Sequence, residues 1–367
     1  MMNGINNKTY KINNFDLLRL IAALQVAVNH SVEMLHVHPP MVLKNFLHFS
    51  QMFPGVPIFF FISGFLISKS YESNHKLVEY FQNRILRLYP GLIICVSFSF
   101  ILIYVSGYLV TTNASAIDWL ALYFAKTSIL QFYNPDFMRA YGDGVLNGSL
   151  WTITVEIQFY ILVPVIYSFF KLLDTEKHNL KLILLIIFFL FINRIYAYIP
   201  DEYHNNVLYK LFRVSFLPWF YMFLFGVLAQ KNFTFFYKLL ANKFIHLFII
   251  YCIVGYLSQT YKIALGNNIN PIVFLILVST AFSFSYSFAG LSKTLLKGND
   301  ISYGTYIYHM PIVNFMIYLG YTESLDYAIY ALIITTLLAV TSWLVIEKRS
   351  LSLKKHPLNP FKSSGTK

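Results

Sequence analysis

The sequence predicts an all-α, polytopic membrane protein, a bundle of about ten transmembrane helices with both termini in the cytoplasm. Three observations predict this class. The 367 residues are 57% hydrophobic and only 12% charged, whereas about a quarter of the residues in a soluble domain are charged. Long apolar segments recur along the chain, and about 20 such residues suffice to cross a bilayer. Basic residues concentrate in alternate connecting segments, as the positive-inside rule requires.

The predicted spans are 15–35, 49–67, 92–110, 150–170, 182–199, 211–229, 244–258, 271–289, 301–319 and 327–346. A weaker segment, 119–130, is shorter and contains Lys126, so we expect an interfacial or re-entrant helix there. Of the 28 Lys and Arg residues, 20 then fall in inner segments, six in outer segments if Arg213 at the outer end of its span is counted there, and two deeper within spans. This excess predicts that both termini face the cytoplasm. If 119–130 crossed the membrane, every later orientation would reverse.

The first span, 15–35, organises the chain because it carries Asp16, Arg19, His30 and Glu33. A charged side chain near the bilayer centre costs about 2.5–3.5 kcal/mol on insertion scales, so ionisable groups within spans usually mark a working site. Arg19 and His30 lie eleven residues apart, which returns to within about 20° of the same helix face, roughly 16 Å along the axis. The alternative is that Arg19 reaches the lipid headgroups and His30 only packs within the bundle.

Two further segments carry candidate polar groups. Ser63 and Gly64 interrupt the aromatic residues of the second span, and a small pair of this kind commonly serves helix packing. Arg84 and Arg87 lie three residues apart at the inner end of the third span, where two guanidinium groups can grip a phosphate. The alternative for this pair is a topology anchor.

Charge and cysteine content exclude several classes of function. The net charge of +12 does not indicate nucleic acid, because its distribution follows membrane topology. Cys95 and Cys252 lie in predicted spans without a CxxC spacing, so neither a disulfide framework nor a zinc site is expected, and no metal is predicted. We expect a transmembrane domain over residues 1–349 and a short basic cytoplasmic tail over 350–367.

Several motifs in order carry a family resemblance. They are Arg19 and His30 with ten residues between them, SGFL at 63–66, RxxR at 84–87, WTITVEIQFYILVP at 151–164, SYGTYIYHMPI at 302–312 and IEKR at 346–349. Together they resemble the acyltransferase-3 family of integral membrane acyltransferases. The resemblance implies transfer of an acyl group, usually acetyl from acetyl-CoA, to hydroxyl groups of extracytoplasmic sugars. One departure is Ile157, where many members have a second Glu, so a role for that carboxylate is absent here.

The roles that the resemblance implies agree with the predicted depth of the residues. Arg19, Arg84 and Arg87 fall on the cytoplasmic side, where the phosphates of CoA would arrive. His30 lies towards the outer side, where an imidazole is suited to act as general base on a sugar hydroxyl. Glu33, one turn further on, is expected either to hold that imidazole or to be solvated.

Three other residues complete the candidate site. Glu156 is expected at the depth of the candidate base, with either a catalytic role or an ion pair to Arg194. His309 is expected in the inner half of the ninth span, beside Tyr303, as a structural residue or a contact of the thioester path. Ser63 and Tyr303 join it as candidate donor-binding residues.

The sequence thus predicts a membrane O-acyltransferase of the bacterial cytoplasmic (inner) membrane, acting on an O-antigen, capsule or exopolysaccharide type of glycan. Its expected partners are acyl-CoA, with acetyl-CoA as donor, a glycan or lipid-linked glycan acceptor and membrane lipid, but no nucleic acid. One alternative is a secondary transporter or flippase for a lipid-linked sugar, which would show inverted repeats that the sequence lacks. Another is a glycan polymerase, for which the outer loop at 107–148 offers a single arginine, Arg139.

Overall fold

The computed structural model describes residues 12–173 and 178–354. Over these residues the protein is all-helical, with 76% helix and no strands, which confirms the predicted all-α class. The predicted terminal segments lie largely outside the described residues, since these leave out 1–11 and 355–367. The predicted sidedness of the two termini therefore stays a prediction.

Most helices of the described residues follow one another through short connections, but residues 127–150 form a long one. The helices are α1 Phe15–Met34, α2 Met41–Gln51, α3 Gly55–Ser73, α4 Leu77–Val105, α5 Tyr108–Thr111, α6 Ala116–Lys126, α7 Trp151–Phe169, α8 His178–Ala197, α9 Val207–Arg213, α10 Phe220–Lys231, α11 Phe233–Leu240, α12 Phe244–Thr260, α13 Pro271–Tyr286, α14 Leu291–Leu296, α15 Ser302–Tyr318, α16 Leu325–Ser342 and α17 Lys348–Ser352. A π-helical turn, Trp343–Glu347, joins α16 to α17.

Five helical stretches are long and apolar enough to cross a membrane by length and composition. They are Met41–Ser73, Leu77–Val105, Gly148–Phe169, His178–Ala197 and Leu325–Ser352. A sixth is added if α11 and α12, which meet at 82°, form one broken span. Each of the ten predicted segments contains a helix, but α1 is polar along part of its surface and α15 has only 17 residues. The count of ten spans therefore stays a prediction.

Two boundaries differ from the sequence-based expectation. The third predicted span was placed at 92–110, whereas α4 already begins at Leu77 and continues through Pro90. Hydropathy detects only the apolar part of a helix, and α4 extends beyond it through residues that mix charged and apolar side chains. The predicted span 211–229 is broken into α9 and α10 by the segment 214–219. Pro218 lies in this break, where a missing backbone N–H disfavours a continuous helix.

Close helix contacts at glycine bring the central helices together. A Cβ on Gly64 of α3 would lie 1.9 Å from the carbonyl oxygen of Phe223 in α10, and one on Gly226 would lie 2.1 Å from that of Phe61. Gly64 thus has the packing role expected of a small residue in a span. Around this centre, α1, α3, α4, α7 and α15 supply the polar side chains described below.

The segment between α6 and α7 folds over the end of α15. Asn314 of α15 accepts a hydrogen bond from the backbone N–H of Asp143 at 3.0 Å, and Asn147 donates to the carbonyl of Ile307 at 2.9 Å. The helix α6 has 11 residues, about 16 Å at 1.5 Å per residue, which is too short to span. Lys126 is fully buried there and donates to the carbonyl of Gln131 at 2.6 Å.

Candidate active site

Two histidines from opposite ends of the chain meet inside the bundle. Nδ1 of His30 in α1 lies 3.0 Å from Nε2 of His309 in α15. His30 is half-buried, whereas His309 is fully buried, and Nδ1 of His309 lies 3.3 Å from the carbonyl oxygen of Thr305. The expected separation of the two rings in depth was therefore wrong. The sequence fixes the position of a residue along its own helix, but not the stagger between α1 and α15.

An acidic residue that the sequence analysis missed connects these two helices. Asp300 immediately precedes α15, and its carboxylate forms ion pairs with Arg19 of α1, at 3.1 Å, and with Arg87 of α4. It also accepts a hydrogen bond from the backbone N–H of Ser302 at 3.1 Å. Burial by itself would raise the pKa of Asp300, but the two guanidinium groups hold that pKa well below its usual value. We call these three residues, Arg19, Arg87 and Asp300, the ionic clasp.

The ionic clasp changes the interpretation of the predicted donor-binding arginines. Arg19 and Arg87 share one carboxylate, so they are structural partners of α15 as well as positive charges near the site. A detectable signal in the sequence was the Asp-x-Ser pattern at the start of α15, which is typical of a helix N-terminus. The pattern gave no information on which distant arginines the carboxylate would meet.

Arg84 does not take part in the ionic clasp. Its Nη2 donates to the hydroxyl of Ser70 at 3.1 Å, and its guanidinium carbon lies 5.8 Å from the ring centroids of both Tyr80 and Tyr160. Nε of Arg84 is buried without a hydrogen-bond partner among the described residues. The positive charge of Arg84 is therefore engaged by aromatic rings and a hydroxyl rather than by a carboxylate.

A second residue that the sequence analysis missed lies beside these arginines. Lys354 belongs to the predicted solvated tail, yet it is only partly exposed. Burial, followed by the charges of Arg84, Arg87 and Arg19, lowers the pKa of Lys354 to about 8. Four basic side chains thus converge at this end of the bundle.

Glu156 of α7 forms a hydrogen-bonded group with a residue of α3. Its Oε1 accepts from the hydroxyl of Ser63 at 2.8 Å and from the hydroxyl of Tyr160 at 2.6 Å. The alternative ion pair of Glu156 with Arg194 is absent from the described residues, where the guanidinium of Arg194 donates to Asn193 instead. Ser63 and Gly64 therefore have different roles. The hydroxyl of Ser63 faces the site, and Gly64 packs on α10.

A narrow cavity borders several of these groups. Its wall includes Arg19, Phe59, Thr152, Glu156, Tyr303 and Tyr306. The hydroxyl of Tyr306 lies 2.8 Å from that of Thr152, and its ring packs edge-on against His309 with centroids 5.9 Å apart. The cavity therefore runs from the ionic clasp towards the histidine pair. Tyr303 lines the cavity, and its hydroxyl donates to the carbonyl of Leu88 at 2.9 Å; its role in donor binding stays a prediction.

Two carboxylates, those of Glu33 and Asp143, lie near His30. Glu33 and Asp143 are exposed, and both act electrostatically on the His30 ring. No hydrogen bond joins Glu33 to His30 in the part of the chain that the structure describes. The hydrogen-bond partner of the imidazole is His309, and the exposure of Glu33 agrees with the second alternative, a solvated side chain.

The sequence profile of the acyltransferase-3 family, described as an acyltransferase domain, matches residues 12–347. The chain belongs to this family. It is therefore an acyltransferase, which excludes the transporter, flippase and polymerase alternatives as its primary activity.

Two relatives of this acyltransferase match it over nearly its whole length, and a third matches about a third of it. Nodulation protein 10 of Rhizobium leguminosarum bv. viciae is 30% identical over 359 residues, which cover 93% of this chain and 94% of the relative. The O-acetyl transferase of Shigella phage Sf6 is 26% identical over 366 residues, 94% of this chain and 97% of the relative. O-acetyltransferase OatA of Staphylococcus aureus (strain NCTC 8325 / PS 47) is 30% identical over 125 residues, 32% of this chain and 20% of the relative. No solved structure matches the chain significantly.

Proposed function

We propose that this acyltransferase moves an acetyl group from cytoplasmic acetyl-CoA to a hydroxyl group of an extracytoplasmic glycan, in the inner membrane of a bacterium. The observation that carries the proposal is the order of three parts along α1 and α15. Basic side chains lie at one end, the cavity lies in the middle, and the histidine pair lies beyond it. The proposal includes ten spans and cytoplasmic termini, which place the basic end inside and His30 towards the outside.

Arg84 and Lys354 are the principal contacts for the donor phosphates in this proposal. Neither side chain forms an ion pair with a carboxylate among the described residues, whereas Arg19 and Arg87 share Asp300. A phosphate beside Arg84 would accept hydrogen bonds from the guanidinium N–H groups that do not donate to Ser70. Charge-assisted hydrogen bonds of this kind are stronger than neutral ones, contributing about 1.5–3 kcal/mol each. Arg19 and Arg87 add positive potential while they keep α15 in place.

The pantetheine arm of the donor would lie in the cavity between these charges and the histidines. Arg19 and His30 are separated by about 16 Å along α1, a distance that the arm spans. The hydroxyl groups of Ser63, Thr152 and Tyr306 offer polar contacts along this path. The thioester carbonyl then arrives beside the ring of Tyr306, one turn before His309 on α15.

His30 is the general base of the proposed reaction. It removes the proton of the acceptor hydroxyl while the hydroxyl oxygen forms a bond to the thioester carbonyl carbon. The carbon–sulfur bond then breaks, and the departing sulfur takes the proton from His30 to give free CoA. The acyl group is then on the acceptor and the proton on the CoA sulfur, so His30 returns to its neutral form. General-base catalysis of this type contributes about 10² to 10⁴ in rate.

The proposal is tested on the glycans of cells that express the protein. Surface glycans are isolated from cells with and without it and compared by NMR before and after mild base treatment. We expect an O-acetyl signal that depends on the protein and disappears with base. In parallel, membrane vesicles receive acetyl-CoA labelled in the acetyl group on their cytoplasmic face, and label is expected on the glycan of the opposite face. Identical glycans in both cell types, or labelling that needs donor on the outer face, would contradict the proposal.

A further inference from the structure

The histidine pair belongs to a chain of hydrogen bonds whose direction can be assigned. Nδ1 of His309 lies 3.3 Å from the carbonyl oxygen of Thr305, and Nε2 of His309 lies 3.0 Å from Nδ1 of His30. A carbonyl oxygen only accepts hydrogen bonds, so Nδ1 of His309 carries the proton in this contact. In a neutral imidazole one ring nitrogen is a donor and the other an acceptor. Nε2 of His309 is therefore an acceptor and faces His30 with its lone pair.

This assignment fixes the tautomer of His30 as well. Since Nε2 of His309 accepts, Nδ1 of His30 must donate across the 3.0 Å contact. The proton of neutral His30 thus resides on Nδ1, and the lone pair resides on Nε2, at the far side of the ring. No protein hydrogen bond engages that Nε2 among the described residues. The nitrogen needed as a base is therefore the one that stays open to a substrate.

We propose that His309 is a positioning residue, which holds His30 in the tautomer that leaves Nε2 free to accept the proton of the acceptor hydroxyl. This inference rests on the proposed function, because it assumes that His30 is the base. Both nitrogens of His309 are engaged, by Thr305 and by His30, so His309 itself makes no polar contact with substrate. Its role is to receive the Nδ1 hydrogen bond.

The same contact stabilises His30 after it has taken the proton. When the acceptor O–H bond breaks, the proton moves to Nε2 of His30, and the oxygen bonds to the thioester carbon. His30 is then an imidazolium whose Nδ1–H still donates to the neutral Nε2 of His309, and hydrogen bonds to charged donors are stronger than neutral ones. When the carbon–sulfur bond breaks, the proton passes from Nε2 to the sulfur. His309 keeps its own proton throughout the cycle.

The surroundings of His309 support a fixed orientation of its ring. His309 has no exposed surface, and the ring of Tyr306 packs edge-on against it at 5.9 Å between centroids. The Thr305 carbonyl belongs to the same helix, α15, so the acceptor that orients His309 is part of the backbone. Packing alone would also keep a histidine in place, and the test must separate packing from hydrogen-bond acceptance.

Replacement by two amides separates these roles. The amide of Gln reaches the position of imidazole Nε2, so the oxygen in His309→Gln can accept from Nδ1 of His30. The amide of Asn reaches only the position of Nδ1, so His309→Asn leaves the His30 proton without a partner. Both replacements are neutral primary amides at the same buried position. In a serine-protease triad, loss of the correct histidine tautomer costs about 10⁴ in kcat, and loss of a neutral partner should cost less.

Purified variants are compared for kcat, for the KM of acetyl-CoA and for thermal stability. We expect His309→Gln to retain at least about a tenth of kcat and His309→Asn to lose about 10²-fold or more, within the range of general-base catalysis. The KM of acetyl-CoA should stay unchanged in both. His246→Asn, at an exposed position of α12, is the matched control and should behave as the unmodified protein.

Four results would refute the inference or the proposed function on which it rests. Equal kcat values for the Gln and Asn variants, whether high or low, would show that hydrogen-bond acceptance by residue 309 has no role. If neither variant folds, His309 is required for the fold itself and the positioning role is rejected. Full activity of His30→Ala would instead refute the proposed function, whereas an inactive His30→Ala with an active His309→Asn would refute only the role of His309.

Discussion

Removal of the Arg87 side chain is expected to destabilise the fold through the carboxylate that it leaves behind. In Arg87→Ala, Asp300 loses one of the two guanidinium groups that hold its charge, and the side chain of Asp300 is only 11% exposed. Breaking a buried ion pair by removing one partner costs about 3–5 kcal/mol, because the remaining charge is uncompensated. Arg19 still contacts Asp300 at 3.1 Å, so we expect the lower end of this range.

The companion substitution reveals the cause of this loss. Asp300→Asn removes the charge of residue 300 but keeps the size of its side chain. The double variant Arg87→Ala/Asp300→Asn should therefore be more stable than the single variant Arg87→Ala. Thermal unfolding in detergent measures all four proteins of this double-mutant cycle, and we expect a loss of about 5 °C or more in Tm for Arg87→Ala. Additive losses, or an unchanged Tm for Arg87→Ala, would refute the ionic clasp as a source of stability.

Three other predictions follow from the same contacts. Arg84→Gln should weaken acetyl-CoA binding about tenfold or more with little change in Tm. Arg139→Gln, at a side chain that is 56% exposed, should leave binding unchanged. Equal affinities of the Arg84→Gln variant and the unmodified protein in a direct binding assay would exclude Arg84 as a donor contact. Because the pKa of Lys354 is lowered to about 8, this amine loses its charge as pH rises through 8, so donor affinity should fall between pH 7 and 9. Lys354→Arg should flatten that dependence, and an identical pH profile in the variant would show that Lys354 does not contribute. Gly64→Ala should lower the free energy of unfolding by about 1–3 kcal/mol or more, since the new Cβ would lie 1.9 Å from a backbone oxygen. Gly148→Ala, where the nearest atom would lie 3.6 Å from the new Cβ, should be tolerated. Similar Tm values for these two variants would contradict the close packing of α3 on α10.

The all-helical class and the positions of the apolar segments could be predicted from the sequence because hydropathy is a local property of the chain. The limits of α4 could not, since its first three turns mix charged and apolar residues and carry little hydropathy signal. The break between α9 and α10 contains Pro218, whose carbonyl accepts a hydrogen bond from the side chain of Asn193 in α8 at 3.0 Å. Neither one proline nor a contact with a distant residue changes the hydropathy averaged over a span-length window.

The sequence likewise predicts only part of the candidate site. The shared face of Arg19 and His30 follows from helix periodicity within one segment, so the sequence could predict it. The contact of His30 with His309 and the ion pair of Arg19 with Asp300 join residues about 280 positions apart. Their formation depends on the relative stagger of α1 and α15, which packing determines. For the same reason, the sequence did not predict the hydrogen bonds of Glu156 with the hydroxyl groups of Ser63 and Tyr160.

Kinetic comparison of the purified protein with its His30→Ala variant tests the central claim most directly. Both receive acetyl-CoA labelled in the acetyl group, with and without acceptor glycan, and samples are quenched rapidly. The account predicts a loss of about 10² to 10⁴ in the rate of acetyl transfer for His30→Ala, unchanged donor affinity, and no label retained on the protein in the absence of acceptor. Full activity of His30→Ala would contradict the assignment of the base, and label retained on His30 would contradict direct transfer by showing a covalent acyl-histidine intermediate.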